Sequence, residues 1–180
     1  MASELVSRRA IYKGRTIKVS VDTVRLPNGK VLDLDYVEHP GAAAIVPMHE
    51  DQTVTLIRQY RYSAGGEWII EIPAGKLDHG EAPEICASRE LVEEVGLRAG
   101  TLQPLGFIYA TPGFCNERIY LFLATNLVDV GQQLEEDELL EVKRVPFREA
   151  VRMAVNGEIS DAKSATALLR AAAMLGISVV

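Results

Sequence analysis

Three carboxylates in the run Arg89-Glu90-Leu91-Val92-Glu93-Glu94 are spaced to act together. On a helix Glu90 and Glu94 stand one above the other, with Glu93 beside them at i+3 from Glu90. Like charges at this spacing repel, costing an isolated helix about 0.2–0.5 kcal/mol per pair. Taken alone, such a triplet reads as a solvated acidic face. Two features point elsewhere. The acids lie near the C-terminal end of the segment, where the helix dipole disfavours negative charge. They also follow a loop bounded by Gly75 and Gly80, whose backbone can come close to a ligand. Carboxylates and a backbone carbonyl are hard oxygen donors suited to Mg²⁺ or Mn²⁺. Such a set looks like a metal site that could serve hydrolysis of a phosphate anhydride. The ion neutralises phosphate charge that would repel an incoming hydroxide, and it lowers the pKa of water.

The elements that must carry these side chains can be read from periodicity. A helix is expected from Pro83, a residue suited to the first turn, to Gly96, a residue suited to C′. Ile85, Leu91, Val92 and Val95 give it an apolar side. Ala42–Pro47, Val54–Gln59 and Trp68–Pro73 read as central strands, with further strands at 105–110, 118–124 and 139–145. Trp68 is expected in the core, with a dimer interface as the alternative. Two helices close the chain: 147–156, ended by Gly157, and 161–175, capped by Ser160 and ended by Gly176. Strands interrupted by one helix and followed by two more imply a mixed α/β fold, a sheet sandwiched between helices. Residues 1–40 read as a separate β region. Ile17, Val19 and Val21 share one strand face, Pro27-Asn28-Gly29 supplies a hairpin turn, and Leu32, Leu34 and Tyr36 share a face of the return strand. A hairpin this exposed is marginal alone and must pack on something. The domain division is 1–40 and 41–180.

Composition narrows the partners. A net charge of −6 argues against a non-specific grip on nucleic acid or an anionic membrane. No apolar run is long enough to span a bilayer, and the N-terminus lacks a secretory pattern. With only Cys86 and Cys115, a reducing cytoplasm and no disulfide framework are expected. Cys86, inside the helix, reads as a small core residue rather than a nucleophile, and no Ser/His/Asp set is visible. His39, His49 and His79 are scattered without a ligand pattern.

Gly75, Glu81, Arg89, Glu90, Leu91, Glu93, Glu94, Gly96 and Leu97 fit every fixed position of the Nudix box, and the chain resembles the Nudix hydrolases. The resemblance implies an α/β/α sandwich in which Glu90 and Glu94, often with Glu93, bind metal. It implies the Ala74 carbonyl as a further ligand and a Glu81–Arg89 salt bridge supporting the loop, with Gly75 structural in the motif. Outside the box, Tyr109-Ala110-Thr111-Pro112-Gly113-Phe114-Cys115-Asn116-Glu117 resembles a segment of the ADP-ribose pyrophosphatases. There Gly113 and Glu117 would contact the terminal ribose or its phosphate. Ile57-Arg58-Gln59-Tyr60-Arg61, leading into Glu71-Ile72-Pro73-Ala74-Gly75, resembles the same subfamily, with Arg61 on the substrate's diphosphate. The resemblance also implies a homodimer that exchanges the N-terminal hairpin, with Tyr36, Val37 and Glu38 candidates for the adenine pocket. The run Glu135-Glu136-Asp137-Glu138 ordinarily reads as a solvated loop. By resemblance it supplies a catalytic glutamate, Glu136 or Glu138, with Glu93 and Glu94 as the other catalytic candidates. The implied reaction is Mg²⁺-dependent cleavage of ADP-ribose to AMP and ribose 5-phosphate. Nucleotide sugars, NADH and flavin dinucleotides remain open as other small nucleoside diphosphate substrates. A sensor that binds without cleaving would be expected to have lost part of the acidic set, whereas this chain retains every acid.

Overall fold

The structure, a computed structural model, describes residues 2–134 and 139–178. The chain divides into two compact units, one of residues 1–41 and 109–118, the other of 42–108 and 119–180. Residues 109–118, which sequence patterning groups with the chain from residue 41 onward, thus cluster with the N-terminal strands.

The first unit is an antiparallel sheet of β1 (Glu4–Lys13), β2 (Lys18–Arg25) and β3 (Val31–Glu38), with β2 in the middle. The β2–β3 turn falls at Pro27-Asn28-Gly29 as expected, closed by Gly29 N to Leu26 O at 2.9 Å. Strand β1 is additional to the expected hairpin. All ten of its residues are exposed, so no burial period marks it in the sequence. It is fastened by Arg8, whose guanidinium forks onto buried Asp22 at 2.8 and 2.6 Å. Ser20 Oγ donates to the same carboxylate at 2.8 Å. The segment after Tyr109 adds to β3 through Val37 N to Phe114 O at 2.7 Å.

Hydrogen bonds from Arg8 hold the Asp22 carboxyl below the usual carboxylate range, against the opposing effect of desolvation. A folded pKa below the unfolded one stabilises the sheet above about pH 4, the ordinary Asp value. That contribution is lost as pH falls through the folded pKa. Acid titration of Asp22→Asn followed by circular dichroism is therefore expected to show a shallower loss of stability below pH 4 than the parent; parallel curves would contradict this.

The second unit holds two sheets. One runs β7 (Ala74–Lys76), β4 (Ala42–Pro47), β9 (Arg118–Asp129), β8 (Leu97–Tyr109); the other runs β10 (Leu140–Pro146), β5 (Thr53–Arg61), β6 (Glu67–Glu71). The helices are α1 (Pro83–Val95), α2 (Phe147–Val155) and α3 (Ala162–Met174). Strand β4 is the axis, parallel to β9 and antiparallel to β7, and all six of its residues are buried. Its alternating side chains feed two cores. Ala44 and Val46 join Phe147, Leu168 and Ala171 of α2 and α3; Ala43 and Ile45 join Cys86, Ala87 and Leu91 of α1. Helices on both faces of a mixed sheet give the expected α/β/α sandwich.

Three local expectations are corrected. Trp68 lies on the edge strand β6, is 38% exposed, and packs edge-on to Tyr60 with Arg58 over its ring. It is not core, because its partner across the ladder, Tyr60, also faces outward. The N-cap of α3 is Asp161 rather than Ser160: its carboxylate accepts from Ser164 N at 2.9 Å. Strand β8 begins at Leu97, immediately after the helix, where Gly100 and Gly106 had obscured its alternation.

Candidate active site on the acidic helix

Helix α1 starts and stops where its punctuation requires. Ala82 is the N-cap with Pro83 following, and Gly96 takes the left-handed conformation at φ 67°. Its inward face places Cys86, Ala87 and Leu91 in the core. The same face carries two acids out of solvent: Glu94 is 1% exposed and Glu90 7%. Burying carboxylates is costly unless they are paired or coordinate a cation.

The supports of that face are specific. Ala74 N donates to Glu94 Oε2 at 2.8 Å, anchoring β7 to the helix. Gly75 lies directly against Glu90: a Cβ built on it would stand 1.8 Å from Glu90 Oε1. Only glycine admits that approach. Arg89 Nη1 donates to Glu90 Oε1 at 2.7 Å and to Glu93 Oε2 at 2.9 Å. Its Nε and Nη2 fork onto Glu81 at 3.1 and 3.0 Å, and Nη2 also reaches the Lys76 carbonyl. One guanidinium thus ties the loop to the helix and serves as counter-ion for two of its acids. Its pKa is raised, chiefly by the Glu81 hydrogen bonds, while the Glu81 carboxyl is lowered in turn by Arg89. The expected Glu81–Arg89 bridge is present. Among the described residues, no three His, Cys, Asp or Glu side chains already converge as a metal-holding group. An arginine nitrogen bonds both Glu90 and Glu93.

Arg61 sits at the end of β5, forked onto Glu71 with both bonds at 2.8 Å. Glu71 is 1% exposed and also pairs with Lys163 of α3, which lies 3.0 Å from Asp161. Burial raises the Glu71 pKa, but Arg61 and Lys163 outweigh it and leave the carboxyl below its ordinary value. Glu94 and Asp161 also act on the Arg61 charge, more weakly than Glu71. Sequence reasoning placed Glu71 only within the subfamily-like run Glu71-Ile72-Pro73-Ala74-Gly75, with no role of its own, and assigned no part to Lys163. The signal was a lone acid inside the apolar run 68–73 and a cation in the first turn of the last helix, but their pairing spans 92 residues.

The remaining candidates fall elsewhere. Tyr36, Glu38, Gly113 and Glu117 all belong to the N-terminal unit. Tyr36 and Gly113 line a cavity of about 390 Å³ with Tyr109 and Phe114. Glu38 pairs with Lys18 and lies 3.9 Å from Arg8, and Glu117 lies 3.5 Å from His39 Nδ1. Glu136 and Glu138 lie outside the described residues.

Cys86 is fully buried, and burial, with help from Glu90, pushes its thiol pKa up to about 12. A maleimide at pH 8 is therefore expected to label the native chain once, at half-exposed Cys115, and a second time only after denaturation. Two rapid native modifications would contradict this packing.

A family model described as the NUDIX domain matches residues 38–168, a span that contains the whole acidic motif and its loop. The chain belongs to the Nudix family. It is 36% identical over 170 residues to the ADP-ribose pyrophosphatase of Bacillus subtilis (strain 168), covering 93% of this chain and 91% of that protein. It is 38% identical over 159 residues to the ADP-ribose pyrophosphatase of Mycobacterium tuberculosis, covering 87% and 76%. The GDP-mannose pyrophosphatase of an Enterobacter species is 35% identical over 136 residues, covering 69% of each chain. Among solved structures, an ADP compounds hydrolase superposes with a TM-score of 0.83 at 23% identity, over 98% of this chain and 95% of that one, a likeness of fold. Nudix hydrolases generally use divalent metal cations. The acidic face of α1, with Arg89, Glu81 and Gly75 packed around it, lies within the span matched by the Nudix model.

Proposed function

We propose that this Nudix hydrolase cleaves ADP-ribose to AMP and ribose 5-phosphate, with Mg²⁺ held by Glu90, Glu93, Glu94 and the Ala74 carbonyl. The observation that carries the reading is the pair of buried carboxylates, Glu90 and Glu94, stacked on one helix face against a backbone that only glycine lets approach. Their hard oxygens suit a small divalent cation. When bound, that ion supplies charge neutralisation to the diphosphate and makes water more acidic. The chain does the rest. Arg61 offers a planar guanidinium to the phosphate oxygens, oriented by Glu71. Glu136 or Glu138 accepts a proton from the attacking water. Tyr36, Glu38, Gly113 and Glu117 are the proposed contacts to adenosine and the terminal ribose, in a homodimer that shares its N-terminal sheets. Exposed Leu5, Val6, Ile11 and Tyr12 on β1 support such an association. Among the described residues no helix is long and apolar enough to cross a membrane. Two cysteines without a disulfide framework support a reducing cytoplasm as the enzyme's location.

ADP-ribose is favoured because the two ADP-ribose pyrophosphatases align with most of this chain. A nucleotide sugar is the second reading, favoured by the GDP-mannose pyrophosphatases at 35–37% identity. Purified protein with Mg²⁺ should be assayed against ADP-ribose, GDP-mannose, NADH and flavin adenine dinucleotide. The highest kcat/KM is expected for ADP-ribose; a higher value for GDP-mannose would transfer the assignment to the sugar.

A further inference from the structure

Helix α1 ends in an unusual position for its charge. Its last turn contains no basic residue, yet Glu93 and Glu94 stand there, where the carbonyl end of the helix dipole repels them. The final carbonyls also need donors, since no further turn supplies them. The donors come from the chain after β9. Gln133 N donates to Glu93 O at 3.0 Å, the side-chain amide of Gln132 donates to Glu94 O, and Val130 N donates to Gly96 O at 2.8 Å. The seating is close. A Cβ on Gly96 would fall 2.6 Å from Gln132 N, so glycine is demanded here by packing as well as by its φ of 67°.

We propose that Gln132 is a positioning residue for the Nudix metal site: its side-chain amide, with the backbone amides of Val130 and Gln133, caps the carbonyl end of α1 directly behind Glu93 and Glu94. The inference rests on the reading that these carboxylates hold the divalent ion. The choice of donor matters chemically. A lysine or arginine could cap the same carbonyls, but it would add a second positive charge beside carboxylates that Arg89 already pairs. A carboxamide satisfies the carbonyl and offsets the dipole without adding charge. It thereby keeps the last turn helical and holds the Glu94 backbone in register with the β7 amide that grips its side chain.

Two near-isosteric substitutions separate this role from its rivals. Gln132→Met removes the donor without charge; Gln132→Glu removes it and adds a negative charge. The readout is Mn²⁺ affinity, from the electron paramagnetic resonance signal of free Mn²⁺, with far-ultraviolet circular dichroism confirming the fold. Both variants are expected to bind Mn²⁺ about 3- to 10-fold more weakly, the scale of a lost helix-terminus interaction. Through-space electrostatics predicts the opposite for Gln132→Glu, since an added carboxylate attracts a cation. Unchanged affinity in Gln132→Met, or tighter binding in Gln132→Glu, overturns the proposal. Glu94→Gln is the control for the underlying reading: if it binds Mn²⁺ like the parent, the metal assignment fails whatever residue 132 does.

Discussion

Glu94→Gln is expected to abolish nearly all turnover while leaving the fold intact. Glu94 is 1% exposed and accepts a hydrogen bond from Ala74 N through one oxygen. A glutamine keeps the volume and can keep that bond by turning its carbonyl oxygen toward Ala74. The amide NH₂ then occupies the place of the other oxygen, so a hard anionic donor is replaced by a neutral group that cannot ligate a cation. Loss of one electrostatic stabiliser in an enclosed site costs about 10²–10³ in rate. Steady-state turnover should therefore fall at least a hundredfold, to that order, with an unchanged circular dichroism spectrum. Turnover like that of the parent would contradict the role given to this residue.

The second large effect is expected at a residue with no functional group. Gly75→Ala would put a methyl carbon 1.8 Å from Glu90 Oε1, 2.0 Å from its carboxyl carbon and 2.4 Å from Oε2. No relaxation of a few tenths of an ångström accommodates that. Either the Glu90 carboxylate swings away, abandoning its bond to Arg89, or β7 retreats from α1 and loses the Ala74–Glu94 bond. Both routes damage the site, and overpacking of this kind costs about 1–3 kcal/mol in stability. Activity should fall by about as much as for a lost carboxylate, on the order of 10²-fold. Gly80→Ala is the informative comparison. That glycine has φ 78° but nothing within 4 Å of an added Cβ, so its alanine variant should show a strain cost of about 1 kcal/mol and keep its activity. Equal activity in Gly75→Ala and Gly80→Ala would refute the close-approach argument.

What was legible in the sequence had local causes. Pro83 and Gly96 bracket α1 because first-turn and C′ preferences act within a few residues. The six apolar residues of β4 announce a strand buried on both faces. The box acids needed only helical spacing to be grouped. The rest depended on partners distant in sequence. Strand β1 carries no period of its own, because Leu5, Val6, Ile11 and Tyr12 are all exposed, and pairing to β2 rather than burial defines it. Trp68 has the composition of a core residue but sits on an edge strand, a matter of sheet order that no local pattern reports. The Arg61–Glu71–Lys163 chain joins β5, β6 and α3, so Arg61 could be given a role by resemblance while its pairing with Glu71 and Lys163 could not be read locally.

The guanidinium of Arg89 has one further consequence. Because it already neutralises Glu90 and Glu93 from within the chain, the acidic helix does not need an external ion to hold its shape. Chelation of divalent ions is therefore expected to leave the helix and its packing intact.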